Sequence, residues 1–449
     1  MGSGSVEGVA SILPSQAAHL QVDVTPRMTI PRMCPVAYPA CMFDIDFVRS
    51  QFPALATDWA LFDNAGGSPP LSGVIDRVAD YMRTCAVQLG ASYALSADAT
   101  QRVEAGKAAA AWLVNADPDE IVIGPSSTNN MRILARALQP LFSPGDEIVV
   151  TDLDHECNGG AWRDLASDGV VVREWGFDRE RAELTLEGLE RVLGPRTRMV
   201  CFTQCANIVG TVHDAAAFVQ RIHAGGALAC VDGVAFAPHR EVDVHALGAD
   251  IYFLSIYKVF GPHLGLLYVK RDLLRRARSQ NHFFLPEDAG SYRLQPGNVV
   301  HELTASLPAI PEYLLALDAR HHTDAGALPA RARLTRVFED LTRYEEDLAR
   351  PLLEFLAARR GVRVLGHRSA NAALRVPTVA FVVEGRDSSS IPAALDQAKL
   401  GVRYGHFYAH RAITALGLHG MNGVVRASLA HYNTAAEVDR LIDALDQTI

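Results

Sequence analysis

The sequence predicts an α/β protein: a large domain on a mainly parallel, seven-stranded sheet, followed by a smaller α+β C-terminal domain. The first observation behind this is a run of seven short apolar segments, at 121–124, 147–151, 170–174, 199–203, 227–231, 251–254 and 266–269, most of them separated by helical stretches. Such repetition implies a sheet covered on both faces, because parallel strands are joined by crossovers that pack onto it. The second is a change of character after Gly297. Helices are expected near 303–318 and 330–359, then shorter strands at 362–366, 377–383 and 424–429 alternate with helices near 389–399 and 434–448.

Residues 1–42 carry five prolines at 14, 26, 31, 35 and 39, with few aromatics and no periodicity, and read as a flexible N-terminal arm. Their start, Met1-Gly2-Ser3-Gly4-Ser5, lacks the basic-then-apolar order of a signal peptide. Residues 43–60 form a short segment whose amphipathic helix from Asp46 ends at Pro53 and is expected to pack with the small domain. The large domain then spans 61–300 and the small one 301–449. Within the former, Leu61 to Pro69 is a short strand running into a glycine-rich turn, where backbone can approach a ligand closely. Helices are expected at 71–87 and 99–115, with the polar and aromatic Gln88 to Tyr93 between them.

Composition excludes several classes of function. A net charge of −9 argues against a nucleic-acid or anionic-membrane partner, since either needs a basic surface. No apolar run reaches the roughly 18 residues that cross a bilayer. Seven cysteines are scattered with no Cys-x-x-Cys pair, which fits a reducing, cytoplasmic compartment and argues against a disulfide framework or a metal site.

Several positions carry chemistry. Lys258 lies in a turn between two apolar strands, with Ser255 before it and Gly261-Pro262 after it. Burial of such an amine lowers its pKa and makes it a nucleophile, whereas a solvated turn would leave it ordinary. Ser126-Ser127-Thr128 begins a helix and offers either a phosphate seat or a plain N-cap. Asp232 ends a buried strand, where open α/β sheets bind ligands and where a carboxylate needs a cationic or hydrogen-bonding partner. His155 and Asn207 sit at equivalent strand ends. Arg426, a cation inside an apolar strand, either grips a carboxylate or forms an internal ion pair.

Six runs fall in one order: Phe62-Asp63-Asn64-Ala65-Gly66-Gly67, Asp154-His155-Glu156-Cys157-Asn158, Asn207-Ile208-Val209-Gly210-Thr211, Val231-Asp232-Gly233 with Pro238-His239, Ser255 to Pro262, and Val425-Arg426-Ala427-Ser428 with Tyr432-Asn433-Thr434. From about residue 43 onward the chain resembles the class V aminotransferase family of fold-type I pyridoxal-phosphate (PLP) enzymes, and its cysteine-desulfurase-like branch in particular. The resemblance implies that Lys258 forms a Schiff base with the cofactor and later shuttles the Cα proton. It implies that Asp232 keeps the pyridine nitrogen protonated, that His155 stacks on the ring, and that Asn207 bonds its phenolic oxygen. Ser127, Thr128, Ser255 and Tyr257 would hold the phosphate. Asn298 would complete it from the neighbouring subunit of a homodimer with shared active sites. Arg426, with Asn64, Ala65 or Gly66 nearby, would anchor the carboxylate of an amino-acid substrate.

Three departures qualify the resemblance. Tyr408 stands where desulfurases carry the sulfur-accepting cysteine, and a phenol cannot take up sulfane sulfur as a thiolate does. Tyr257 replaces a phosphate-binding His, and Ala235 replaces a Gln that helps hold the phenolic oxygen. The leading expectation is therefore β-elimination, of C–S lyase type, on cysteine or a cysteine S-conjugate. Tyr408 or His406 then serves as acid to the leaving group or merely shapes the pocket. The alternatives are transamination, epimerisation or decarboxylating deamination, and, from another class, a non-catalytic PLP-fold binding protein.

Overall fold

Parallel strands buried on both faces form the floor of this molecule. The computed structural model describes residues 43–286 and 288–449, so the expected arm at 1–42 lies outside the described residues. In chain order the first strands are β1 (Ala60–Leu61), β2 (Ile121–Gly124), β3 (Glu147–Thr151), β4 (Val171–Trp175), β5 (Thr197–Thr203), β6 (Leu228–Asp232), β7 (Ile251–Ser255) and β8 (Gly265–Val269). They are followed by β9 (Val362–Leu365), β10 (Thr378–Val383), β11 (Leu400–Gly401), β12 (Arg403–Gly405) and β13 (Val424–Ser428).

The main sheet has seven strands in the order β2-β8-β7-β6-β5-β3-β4, and only β8 runs against its neighbours. Strands β3, β7 and β8 are buried throughout, as their mainly aliphatic and aromatic runs require. Edge strand β4 exposes Val171 and Glu174, which blunts it as a template for further pairing. Register places Thr203 beside Asp232, and Asp232 beside Phe253. The carboxyl ends of β5, β6 and β7 therefore line up at one rim, where this class of sheet opens to ligands.

A second sheet, β12-β13-β10-β9, is antiparallel throughout. Its apolar face packs under the 29-residue helix Ala330–Ala358 and the helix Ala435–Thr448, whose start is fixed by the reciprocal Thr434–Glu437 capping box. Interior strand β13 carries Arg426 opposite Ala380. Residues 62–63 reach across to this strand: Ser428 N donates to Phe62 O at 2.7 Å, and Asp63 bridges to Ser428.

The N-terminal helix Ile45–Ser50 ends before Pro53, which instead opens a short 3-10 turn. Arg49 donates to Tyr432 O at 2.8 Å and to Glu437 at 2.9 Å, while Phe43 stacks on Tyr344. Phe52 packs edge-on to Phe260 and Tyr313. The segment thus touches elements on both sides. The single helix expected at 303–318 is two, His301–Ala305 and Ala309–His321. Pro308 lacks the N–H to continue the first helix and disfavours helical backbone at Leu307 before it. Among the described residues no helix is long and apolar enough to cross a membrane.

Candidate active site

The chain turns sharply after β7. Ile256–Lys258 forms one 3-10 turn, closed by Ile256 N to Leu264 O at 2.8 Å and Gly261 N to Ile256 O at 3.2 Å. Phe260 adopts φ 62°, a left-handed conformation uncommon outside glycine, and its amide is held by Ser68 Oγ at 2.9 Å. Ser68 N donates in turn to Tyr257 O at 3.0 Å. The loop after β1 therefore clamps the turn, and Lys258 is buried at its end.

A cavity opens here and gathers Ser127, Thr128, His155, Asn207, Asp232, Ser255, Tyr257 and Lys258. Its electrostatics follow from burial. The Lys258 amine is pushed down to about 8, first by burial and then by the charge of Arg426, with Asp232 opposing. The Asp232 carboxyl is pushed up to about 6 by burial, against the Val234 amide that donates to it at 2.9 Å. His155 is driven down to about 3 by burial and by the charges of Lys258 and Arg426, so its ring is neutral at ordinary pH. Its Nδ1 accepts from Cys157 N at 3.1 Å, which fixes the ring at the mouth of the helix Glu156–Arg163.

The helix Ser127–Leu138 points its amino end into the cavity, capped by Ser126. Ser127 Oγ lies 2.8 Å from Ser255 Oγ and 2.9 Å from Leu254 O. Close approach of this helix to the sheet depends on Gly265: a Cβ there would meet Ser126 C and Ser127 N at 2.5 Å. Gly233 is needed for a similar reason, because a Cβ would meet the Tyr252 hydroxyl at 1.9 Å. That hydroxyl donates to Gln204 Oε1 at 2.8 Å. Tyr257 stacks on His263 with 4.9 Å between ring centroids.

Other expected site residues are placed elsewhere. Asn64 Nδ2 donates to Ser428 O at 2.9 Å and to Asn433 Oδ1 at 3.0 Å, while its Oδ1 accepts from Tyr432, so the amide is engaged within the protein. Ala65 N is likewise held by Ser428 Oγ, and Gly66 N closes a turn to Asp63 O. Arg426 is 1% exposed and pairs with Asp63 at 3.0 Å, the internal ion pair that the sequence left open. Burial pushes its guanidinium down to about 10, so it stays cationic at neutral pH. Tyr408 is exposed, its ring 5.2 Å from that of His155. His406 is exposed too, and its Nδ1 accepts from Tyr408 N at 3.1 Å. Neither lines the cavity. Asn298 is exposed and donates to Gln88 Oε1 at 3.3 Å, outside the cavity of its own protomer.

Sequence reasoning passed over three residues. Asp154 accepts from Thr203 N at 2.9 Å and from Asn158 Nδ2 at 2.7 Å, tying the His155 loop to the end of β5. Burial, reinforced by Asp232, pushes its carboxyl well up. Asp63 joins Arg426 to Arg403, with Arg403 at 3.2 Å. Both lie inside runs quoted for the resemblance, so the signal was present without a role attached. The third, Phe407, places its ring 3.8 Å from the Arg426 guanidinium carbon. It lies within His406 to His410, a run that reads as a pocket or gate element, with no role attached to Phe407 itself.

The donor set suits PLP. A helix amino end with Ser127, Thr128, Ser255 and Tyr257 suits a phosphate, Asp232 suits a pyridinium nitrogen, and the neutral His155 suits a ring face. The buried Asn207 Oδ1 has no partner, so this side chain still has hydrogen-bonding capacity to fill.

Comparison with known proteins agrees with the geometry. The family model described as Aminotransferase class-V matches residues 60–282 and 330–441, more than half of the chain. The chain is similar to the "Aminotransferase-like protein FGM3" of Gibberella zeae, 39% identical over 91% of this chain and 99% of that one. It is also similar to the "Cysteine desulfurase-like protein ustD" of Aspergillus flavus, 32% identical over 91% of each. Among solved structures, the cysteine desulfurase CsdA of Escherichia coli superposes with a TM-score of 0.77 at 25% identity, covering 90% of this chain and 98% of that one. The chain belongs to the aminotransferase class-V family, and it is a PLP-dependent enzyme acting on amino acids.

Proposed function

We propose that this enzyme catalyses β-elimination from cysteine or a cysteine S-conjugate, breaking the Cβ–S bond. The observation that carries this reading is a cavity with a buried base, Lys258, and no thiol suited to accept sulfur. The run 403–410 contains no cysteine. The two cysteines that line the cavity are both raised by burial, Cys157 well above its ordinary value and Cys205 to about 12, so neither supplies a thiolate near neutrality.

Bound PLP supplies the electron-withdrawing ring that makes the Cα proton of an amino acid acidic. Arg426 holds the substrate carboxylate and fixes which Cα bond faces that ring. Asp232 would hold the ring nitrogen and Asn207 the phenolic oxygen, and His155 would stack on the ring. Lys258 Nζ takes the Cα proton; its lowered pKa of about 8 leaves a useful fraction uncharged near neutrality. Tyr408 or His406 gives the proton to the departing sulfur, which requires their exposed loop, beside His155, to move onto the cavity. Loss of the Cα proton and the Cβ–S electron pair leaves aminoacrylate, which water converts to pyruvate and ammonia.

The chain is further proposed to work as a homodimer in a reducing compartment. Exposed Met82, Tyr93, Leu95 and Val300 support a partner surface, and the five cysteines among the described residues, all free and buried, support the compartment. Product analysis with S-substituted cysteines tests the reaction. Pyruvate, ammonia and free thiol in equal amounts are expected. Accumulation of aminated cofactor, or release of carbon dioxide, would replace elimination by transamination or decarboxylation.

A further inference from the structure

Arg426 does not line the cavity that holds Lys258, and at 1% exposure it is closed to any substrate carboxylate. Three segments close it off: the loop carrying Phe407, the run carrying Asp63, and the backbone of Asn207, whose O accepts Nη1 at 3.1 Å. Phe407 lies 3.8 Å over the guanidinium, itself only 8% exposed, and Asp63 takes Nη2. The same residue acts on a second site group, since Phe407 O accepts Asn207 Nδ2 at 2.8 Å. The loop is docked but not relaxed. Phe407 and Tyr408 are consecutive left-handed residues at φ 48° and 58°, a conformation that costs a non-glycine residue free energy at each position. It is held by Glu156 N to Tyr408 O at 2.9 Å and by the Asn207 contact.

We propose that Phe407 is a positioning residue whose ring an incoming carboxylate displaces from Arg426. The inference rests on Arg426 being the carboxylate anchor proposed above. Asp63 is not orphaned by the exchange, because its other oxygen already pairs with Arg403 at 3.2 Å. The selectivity this builds in is for ligands with a carboxylate. An amine without one offers nothing to exchange for the Phe407–Arg426 contact and leaves the loop in place.

Calorimetric titration of the holoenzyme with propionate, which has the carboxylate and no amine, tests the exchange. Removing the cover raises the fraction of protein competent to bind. Phe407→Ala is therefore expected to bind propionate about 2- to 30-fold more tightly than the parent, the range that loss of one cation–π contact allows. Phe407→Leu keeps the bulk without the π face and is expected to change in the same direction, which answers for the case where the alanine variant folds poorly. In Phe407→Trp, propionate should shift the emission of the indole at 407 as the ring leaves the guanidinium. Unchanged or weaker binding in both variants overturns the proposal and makes Phe407 a fixed wall, as does emission at 407 that stays still at saturation. Absence of propionate binding in every protein also overturns it, whereas the elimination reading stands or falls on products alone.

Discussion

Lys258 and Asp232 are each displaced from their ordinary ionisation in the direction burial dictates, and each displacement has a measurable consequence. An amine attacks an aldehyde only when uncharged. Because the Lys258 amine is held near 8 in the cofactor-free protein, the rate of PLP capture should rise with pH and level off above about 8, rather than climbing toward its ordinary value of 10.5. Stopped-flow absorbance across pH 6–10 checks this. For Asp232 the folded value, about 6, lies above the ordinary 3.8, so the folded protein binds that proton more tightly than the unfolded chain. Its cost to stability is absent below about 4, grows as pH rises through about 6, and persists above. Asp232→Asn should therefore stabilise the cofactor-free protein by roughly 1–3 kcal/mol at pH 7.5 and not at pH 4, while abolishing activity. Urea denaturation at the two pH values distinguishes the outcomes.

The helix Ser127–Leu138 and strand β8 meet where side chains leave no room. At Gly265 the obstacle to a Cβ is backbone at 2.5 Å, which no rotamer change relieves. Gly265→Ala should lower the melting temperature and weaken PLP binding at least tenfold, whereas Gly417→Ala, at φ 70° in open space, should affect stability alone. Fluorescence titration with PLP separates the two. Elements of this kind differ in how openly the sequence declares them. The unbroken apolar runs of β3, β5, β7 and β8 are legible because both faces are buried. Strand β12, Arg403-Tyr404-Gly405, is not, because it is three residues long, polar and largely exposed. The two-residue pairing of β1 with β11 is too short for any period to show. The break before Ala309 was signalled by Pro308, and the apolar residues on either side concealed it.

At the scale of the whole molecule, the site is assembled from five strand ends on one rim and from strand β13 of the second sheet, separated by up to 300 positions in sequence. Motif order gave away Lys258, Asp232, His155 and Asn207, which the fold gathers into one cavity. It did not give away the contacts between the sheets: Asn64 committed to Asn433, Arg426 to Asp63, and Phe407 lying over Arg426. Those depend on which loops meet, and local pattern carries no record of that. The proposed homodimer, with Asn298 reaching the neighbouring site, also predicts complementation. Mixed and refolded, the inactive Lys258→Ala and an inactive Asn298→Asp variant should recover a fraction of activity, since one of the two sites in a mixed dimer then has an intact Lys258 and an intact Asn298. Activity that stays at the level of the separate variants would place Asn298 outside the site.

The most direct test of the central claim is to reduce the PLP-loaded protein with borohydride, digest it and locate the pyridoxyl group by mass spectrometry. The label is expected on the peptide containing Lys258 and on no other. A pyridoxyl group on Lys107, the other lysine whose amine is pushed down by burial, or on none, would contradict the account.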